Sequence, residues 1–250
     1  MRFEFGFLGQ RYACSLWLLI AYCCLTVLLC GLGFWQLERA GLKAEFLARR
    51  QAALETQDVV DLNREEAADV RELRYHLAKA TGHYDAEHQF LLDNRMLDGQ
   101  PGYDVLTPFK LSNGQAILVN RGWLPLGADR RVLPDVRLEQ AIDQVRGRIN
   151  RFPEVGWKLA GMEKPGAGWP ALLQLAEPKA LSEHLGYPVY DFQLELAPEM
   201  AGGYRREWRQ PEVMPPERHI GYAVQWFGLA ATLSVLFILK AIKKMGDRSE

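Results

Sequence analysis

The chain has 250 residues, 24% of which are charged, and a formal net charge of −1. This balance lacks the basic field by which proteins attract nucleic acid, so it does not favour a nucleic-acid-binding function. All four cysteines (Cys14, Cys23, Cys24 and Cys30) lie in one apolar segment near the N-terminus. The remainder of the chain therefore contains no disulfide and depends on its hydrophobic core.

The first predicted element is a membrane-spanning helix over residues 12–36, preceded by a short tail over residues 1–11. No Asp, Glu, Lys or Arg occurs between Tyr12 and Leu37, a run long enough for the ~20 residues that cross a bilayer as a helix. A cleaved signal peptide is the alternative. A signal core has only ~7–15 apolar residues and is followed by a small-x-small site, which this sequence lacks. We therefore interpret the segment as a retained anchor.

A helical stalk and then a β-rich region are predicted after the span. Apolar residues at helical spacing from Leu37 to Ala48 predict that the helix continues over residues 37–56. One further short helix is predicted over residues 177–185, because helix formers there are followed by Gly186. The predicted strands cover residues 73–77, 89–92, 103–111, 116–123, 144–149, 172–175 and 189–196.

The connections predict how these strands pair. Asn113 and Gly114 supply positive φ angles, which predicts a tight hairpin turn over residues 112–115. Pro- and Gly-rich residues 163–170 and 198–216 are predicted loops. Strands outnumber helices and no long βαβ crossover is apparent. The predicted fold is two transmembrane α-helices flanking an α+β, mainly antiparallel β, small barrel-like extramembrane domain over residues 37–218.

A second span is predicted over residues 219–239, followed by a tail over residues 240–250. The residues from Ile220 to Leu239 include no charged side chain. The two short tails carry the basic residues Arg2, Arg11, Lys240, Lys243, Lys244 and Arg248. The positive-inside rule then places both termini in the cytoplasm and the central domain on the other side. Basic residues on the domain side compete with this orientation but lie in a loop too long for the rule: Arg39, Arg205, Arg206, Arg209 and Arg218.

Enzyme signatures are missing from the sequence. It has no phosphate-binding glycine loop, dinucleotide fingerprint, nucleophile elbow or metalloprotease histidine pair. One cluster of metal-capable groups contains His83, Asp85, Glu87 and His88. Without cysteine partners, and in a predicted turn, it is interpreted as solvated surface and not as a metal site. An anchored hydrolase would depend on this cluster alone, so we expect no enzymatic activity.

His219 stands where the second span begins. Tyr222, Ala223 and Trp226 follow at offsets of three, four and seven and share its helix face. The residues of the opposite face are small or polar and predict close packing of a neighbouring helix there: Gly221, Gln225, Gly228 and Thr232.

The two-span layout also predicts which residues lie at the same membrane depth. Because an outside domain joins the spans, residues 35–36 and residues 219–222 are level. A neutral imidazole at that depth suits haem iron, aromatic rings can flank a porphyrin, and Arg39 or Arg218 can meet its propionates. The alternative is that His219 and the aromatic residues only anchor the helix at the membrane interface.

A series of short motifs runs in order along the chain: Gly33-Phe34-Trp35-Gln36 with Arg39 and Lys43; Asn94-Arg95, Pro101-Gly102-Tyr103 and Thr107-Pro108; Val119-Asn120-Arg121-Gly122-Trp123-Leu124-Pro125; and His219 with Tyr222 and Trp226. Together with the two-span layout, this series resembles the surfeit locus protein family over nearly the whole chain.

The resemblance implies a non-enzymatic assembly factor for haem-copper cytochrome c oxidase, which acts while haem a is put into the catalytic subunit. The implied partners are that subunit and the haem a synthesis machinery. In bacterial members haem a binding is associated with a histidine in the second span, which corresponds to His219. Its candidate companions at the cofactor are Tyr222, Trp226, Trp35 and Arg39.

The motif residues Arg121, Gly122 and Trp123 are the candidate partner-binding residues. A cofactor-free membrane scaffold that stabilises an oxidase assembly intermediate is the alternative function. The N-terminal tail lacks the Arg- and Ser-rich character of a mitochondrial transit peptide, which points to a bacterial inner membrane with the domain in the periplasm.

Overall fold

A computed structural model describes residues 2–7, 10–64, 73–154, 156–208 and 214–246. The chain divides into two compact units, residues 1–49 with 211–250, and residues 50–210. In chain order the elements are β1 (Arg2–Phe7), β2 (Gln10–Ser15), α1 (Leu16–Glu55), β3 (Val59–Asp61), β4 (Leu77–Tyr84), β5 (Phe90–Leu97), β6 (Gln100–Leu111), β7 (Ala116–Pro125), β8 (Gln144–Asn150), β9 (Ala171–Leu173), α2 (Pro178–Leu185), β10 (Val189–Leu196) and α3 (Pro216–Gly246).

Two helices, α1 and α3, are long and apolar enough to cross a membrane, by length and composition. Helix α1 begins at Leu16, later than the predicted residue 12, because residues 10–15 form β2, which pairs with β1 in an antiparallel hairpin. It continues without a break through the predicted stalk and ends at Glu55. Helix α3 begins at Pro216, slightly before the predicted residue 219.

The orientation of the spans stays a prediction. Arg209 and Arg248 lie outside the described residues, as do the side chains of Arg2, Arg11, Lys243 and Lys244.

Helices α1 and α3 run antiparallel and touch along their length. Tyr22, near the start of α1, stacks on Phe237 near the end of α3 with ring centres 4.3 Å apart. Its hydroxyl lies 3.0 Å from the Ser234 Oγ. Farther along, Gly33 approaches Phe227 so closely that a Cβ on Gly33 would lie 2.6 Å from the ring. A small residue thus lets the two helices approach closely. Such close packing is what associates helices in lipid, where no hydrophobic driving force acts between them.

The packing face of α3 differs from the predicted one. Ala223 and Ala230, on the side of His219, are 1% and 6% exposed, whereas an added Cβ at Gly221 or Gly228 would meet no atom within 4 Å. Helix α1 therefore packs on the His219 side of α3, where the small alanine side chains allow the two helices to approach closely. Packing of another helix on the Gly221 side stays a prediction.

The second unit is built on a five-stranded barrel. Strands pair in the order β4–β8–β10–β7–β6, and a β4–β6 pairing closes the ring. Four of these pairings are antiparallel, and β7–β10 is parallel. Strands β3, β5 and β9 extend the sheet at its ends. The predicted mainly antiparallel, barrel-like domain between two apolar helices is confirmed.

Alternate residues of the strands fill the barrel, as the period of two requires. Ile117 and Val119 of β7 pack there with Phe192 and Leu194 of β10. Residues of opposite parity, such as Leu118, belong to a second cluster that also includes residues of β9 and α2. The two cores explain why neighbouring residues of both parities are buried in β6, β7 and β10.

Most predicted elements of this unit are observed, with one error at its start. The predicted strand over residues 73–77 is mostly a turn, in which Tyr75 has a φ of 72°. The strand begins only at Leu77, and its small residues hid it from a hydrophobicity pattern. The predicted hairpin turn is present, but only Gly114 has a positive φ, while Asn113 Oδ1 accepts a hydrogen bond from the Gln115 N–H.

Candidate functional site

The His219 imidazole is held by a residue of the other apolar helix. Its Nδ1 lies 2.8 Å from Oε1 of Gln36. Because an amide oxygen only accepts hydrogen bonds, Nδ1 is the donor in this contact, and in the neutral imidazole Nε2 then keeps its lone pair. A histidine whose second nitrogen is fixed in this way has the tautomer and orientation of a metal ligand.

The Nε2 atom of His219 is buried, and it has no hydrogen-bond partner among the described residues. Leaving a buried polar atom unpaired costs about 1–3 kcal/mol, so such atoms call for an explanation. An electron-pair acceptor such as haem iron would use this nitrogen. Since Nε2 is buried, ligation would require the atoms around it to move aside.

The other predicted cofactor residues lie on more open surfaces. Trp35 and Tyr222 are 46% and 44% exposed, and Trp226 is half-buried. The Arg39 guanidinium carbon lies 5.6 Å from the centre of the Trp35 ring, a cation–π arrangement. The structure thus gives Trp35 and Arg39 one shared surface.

The predicted alignment of the two span ends is confirmed by the hydrogen bond between Gln36 and His219. Sequence reasoning placed Gln36 at the right depth but gave it no role. Its signal was present: Gln36 is a polar residue within the long uncharged run of α1, where a side chain that can hydrogen-bond calls for a partner.

Arg121 is a buried cation that holds loops to the barrel. Its Nε donates to the Gly202 carbonyl at 2.6 Å, and its Nη1 donates to Gln89 Oε1 at 2.8 Å and to the Val136 carbonyl at 2.9 Å. Burial lowers the pKa of this guanidinium from its usual value, and the nearby Tyr204 opposes that effect. The side chain is 2% exposed.

Gly122 and Trp123 are equally internal. Gly122 has a φ of 113°, and a Cβ there would lie 2.7 Å from the Arg205 carbonyl oxygen. The Trp123 backbone N–H donates to that same oxygen at 2.8 Å, and its indole N–H donates to the Arg95 carbonyl at 2.9 Å. All three predicted partner-binding residues therefore have internal contacts, and a role in partner binding stays a prediction.

The cluster at residues 83–88 is not simply solvated surface, as the sequence suggested. Asp85 is 9% exposed, and its carboxylate contacts Lys110, Tyr187 and His88, each at 2.8 Å. Burial alone would raise the pKa of Asp85, but these hydrogen bonds outweigh it and lower that pKa to about 2. Among the residues that the structure describes, no three His, Cys, Asp or Glu side chains are grouped to hold a metal.

Comparison with known proteins supports the family resemblance that the motifs suggested. The family model described as "SURF1 family" matches residues 23–231. The chain is 28% identical to a SURF1-like protein of Rickettsia felis over 225 residues, which cover 85% of this chain and 91% of that protein. It is 26% identical to Surfeit locus protein 1 of Gallus gallus over 241 residues, covering 86% and 72% of the two chains. The match to Surfeit locus protein 1 of Takifugu rubripes is 27% over 243 residues, covering 86% and 93%. The chain belongs to the SURF1 family.

Proposed function

We propose that this chain is a non-enzymatic assembly factor for haem-copper cytochrome c oxidase, which holds haem a and assists its insertion into the catalytic subunit. The observation that carries the proposal is the state of His219. Its Nδ1 is fixed by Gln36, and its Nε2 is buried without a partner. Membership of the SURF1 family supports the same function, through the resemblance that the motifs carry.

Haem a is the cargo in this proposal, and its iron supplies a Lewis acid that accepts one imidazole nitrogen. His219 is the proposed ligand through Nε2, and Gln36 keeps the imidazole in the tautomer that leaves Nε2 unprotonated. Trp35, Tyr222 and Trp226 offer aromatic surface to a porphyrin, and Arg39 offers a charge for a propionate.

The cover over His219 Nε2 fits a carrier that binds its cargo transiently. The nitrogen is shielded in the structure, so part of the haem-binding free energy would be spent on displacing the atoms that cover it. A weaker complex releases haem more readily to the oxidase subunit, because affinity differences between related complexes lie mainly in the dissociation rate.

The proposed location is a bacterial inner membrane, with both termini in the cytoplasm and the barrel domain in the periplasm. The two apolar helices and the bacterial relatives are consistent with this membrane. The flanking Lys and Arg residues support the orientation.

A cofactor-free scaffold that stabilises an oxidase assembly intermediate is the second candidate. It is favoured by the exposed face of α3, where Gly221 and Gly228 leave room for a further helix. A scaffold would need this face and would have no use for the unpaired His219 nitrogen.

The two functions are separated by extracting haem from the detergent-purified full chain. The chain is prepared from cells that make haem a, with and without the oxidase catalytic subunit. A carrier retains haem a, and retains more when the subunit is missing, because the acceptor is absent. A chain that is colourless in both preparations, yet still captures the subunit, would contradict haem handling and support the scaffold.

A further inference from the structure

A pocket of about 270 Å³ lies in the domain of residues 50–210, close to the lower limit of the ~300–1,000 Å³ typical of small-molecule sites. Two loop segments form most of its wall, residues 137–140 and residues 201–204, and Arg121 reaches it from β7. Neither the haem proposal nor the helix pair uses this pocket.

The charge of Arg121 is not matched by a carboxylate. No Asp or Glu forms an ion pair with Arg121 among the described residues, although the side chain is 2% exposed. Its Nε and Nη1 donate to neutral oxygens of Gly202, Gln89 and Val136. A buried cation is unfavourable unless it is paired and hydrogen-bonded, so the site lacks one negative charge.

Other groups near the pocket do not supply that charge. The Asp135 carboxylate is paired with Arg137 at the exposed rim. Tyr84 is buried near Arg121 and Arg206, and burial raises its pKa above the usual range although both cations oppose this, so its hydroxyl stays neutral. Tyr204 presents its ring to the guanidinium, with 5.0 Å between the Arg121 Cζ and the ring centre.

The donor set suits a single carboxylate better than a phosphate. Nη2 of Arg121 donates to no backbone or amide oxygen among the described residues, and the neutral Tyr204 hydroxyl is a further hydrogen-bond partner of the guanidinium. Nε and Nη1 are already occupied, so Arg121 offers one charge and Nη2 alone. This matches one oxygen of a singly charged group, whereas a phosphate dianion requires several donors and more positive charge. Glu139 also lines the pocket, at an exposed position, and forms no ion pair with Arg121 among the described residues. Its charge repels a doubly charged phosphate more strongly than a singly charged carboxylate.

We propose that this pocket binds one carboxylate group, with Arg121 as its charge partner. The proposal does not depend on haem handling. The carboxylate can come from a small free acid or from an acidic side chain of a protein partner, and the test separates the two sources.

The test measures the unfolding midpoint of the detergent-purified full chain while acetate replaces chloride at constant sodium concentration. Saturable binding to the folded state raises the midpoint by roughly 2–4 °C when acetate exceeds its Kd several-fold. Arg121→Gln removes the charge and is expected to abolish the rise. Arg131→Gln is the matched control, since that side chain is exposed and pairs only with Asp129 among the described residues.

A second variant keeps the test decisive if Arg121→Gln does not fold. Gln140 is exposed and lines the pocket, so Gln140→Trp fills the pocket without touching the core and should also abolish the acetate effect. No rise in the parent chain, or an equal rise in Gln140→Trp, would overturn the proposal.

To identify the source of the carboxylate, the same unfolding measurement is repeated with a capped tripeptide that has a central glutamate. A half-saturating concentration at least about tenfold below that of acetate supports a protein side chain as the ligand, and an equal concentration supports a small acid. Neither haem nor oxidase is present in this experiment, so its failure would be distinct from failure of the proposed function.

Discussion

Gln36 Oε1 and His219 Nδ1 are 2.8 Å apart, and this one hydrogen bond joins α1 to the first turns of α3. It fixes the tautomer of an imidazole whose other nitrogen is buried and unpaired. The two apolar helices therefore also provide the residue that we propose as the haem ligand.

Loss of the Gln36 amide should weaken haem binding. Outer-sphere partners of a ligating histidine typically contribute 10–100-fold in affinity, so Gln36→Ala is expected to lower haem a affinity by about that factor. Gln36→Glu, which retains an acceptor oxygen, should restore most of it. Titration followed by absorbance measures the affinities, with Gln225→Ala on the exposed face of α3 as the control. Equal affinities in the parent and Gln36→Ala would contradict the orienting role.

The contact between Gly33 and Phe227 should tolerate no side chain. A Cβ at Gly33 would lie 2.6 Å from the ring, and overpacking of this kind costs about 1–3 kcal/mol of unfolding free energy. We expect Gly33→Leu to separate the helix pair, as measured by unfolding in detergent. Gly31→Leu is the control, because nothing lies within 4 Å of its added Cβ. A stable Gly33→Leu pair would show that the helices do not need this contact.

Replacement of Gly122 by alanine should destabilise the barrel domain more than the same replacement at Gly161. Gly122→Ala combines a φ of 113° with a Cβ at 2.7 Å from the Arg205 carbonyl oxygen. Strain in the left-handed region and steric overlap together predict a loss of about 2–4 kcal/mol in unfolding free energy. Gly161→Ala has a φ of 93° without a clash, so denaturant unfolding of both variants isolates the steric part. Equal losses would rule out the contact with Arg205.

Asp85 should make the domain sensitive to acid. Its folded-state pKa of about 2 lies below the ordinary value of 3.8. The carboxylate therefore contributes stability that is complete above about pH 4 and is lost as the pH falls toward 2, in total about 2 kcal/mol.

Unfolding measurements between about pH 5 and about pH 2 check this. Asp85→Asn is expected to flatten the stability profile over that window, while Asp58→Asn, at an exposed position, leaves the slope of the parent. A parent profile with no slope in the window would contradict the ion-pair network.

The positions of most helices and strands could be predicted from the sequence, whereas the contacts between these elements could not. Uncharged runs give the two helices directly, and runs of β-forming residues gave β6, β7, β8 and β10, because those signals are local. Barrel closure through β4 and β6 could not be read, since it depends on pairing of strands far apart in the chain. Strand β4 itself was missed because Ala78 and Ala80 are small, although they are buried.

The candidate site was predicted in part. The two-span topology predicted that His219 lies at the same depth along the helix pair as residues 35–36. Its contact with Gln36 needed the rotation of each helix about its own axis, which the apolar residues around both spans leave undefined. Arg121 was predicted to bind a partner, but its burial could not be predicted, because motif position says nothing about burial. A lone arginine in a β-strand gives no sign that neutral oxygens enclose it.

The most direct test of the central claim is the haem a content and visible spectrum of detergent-purified His219→Ala, compared with the parent chain and with His83→Ala, an exposed histidine of the barrel domain. The account predicts that His219→Ala loses the haem or the spectrum of a histidine-ligated iron, while His83→Ala matches the parent. Unchanged haem a content and spectrum in His219→Ala would show that His219 is not the ligand.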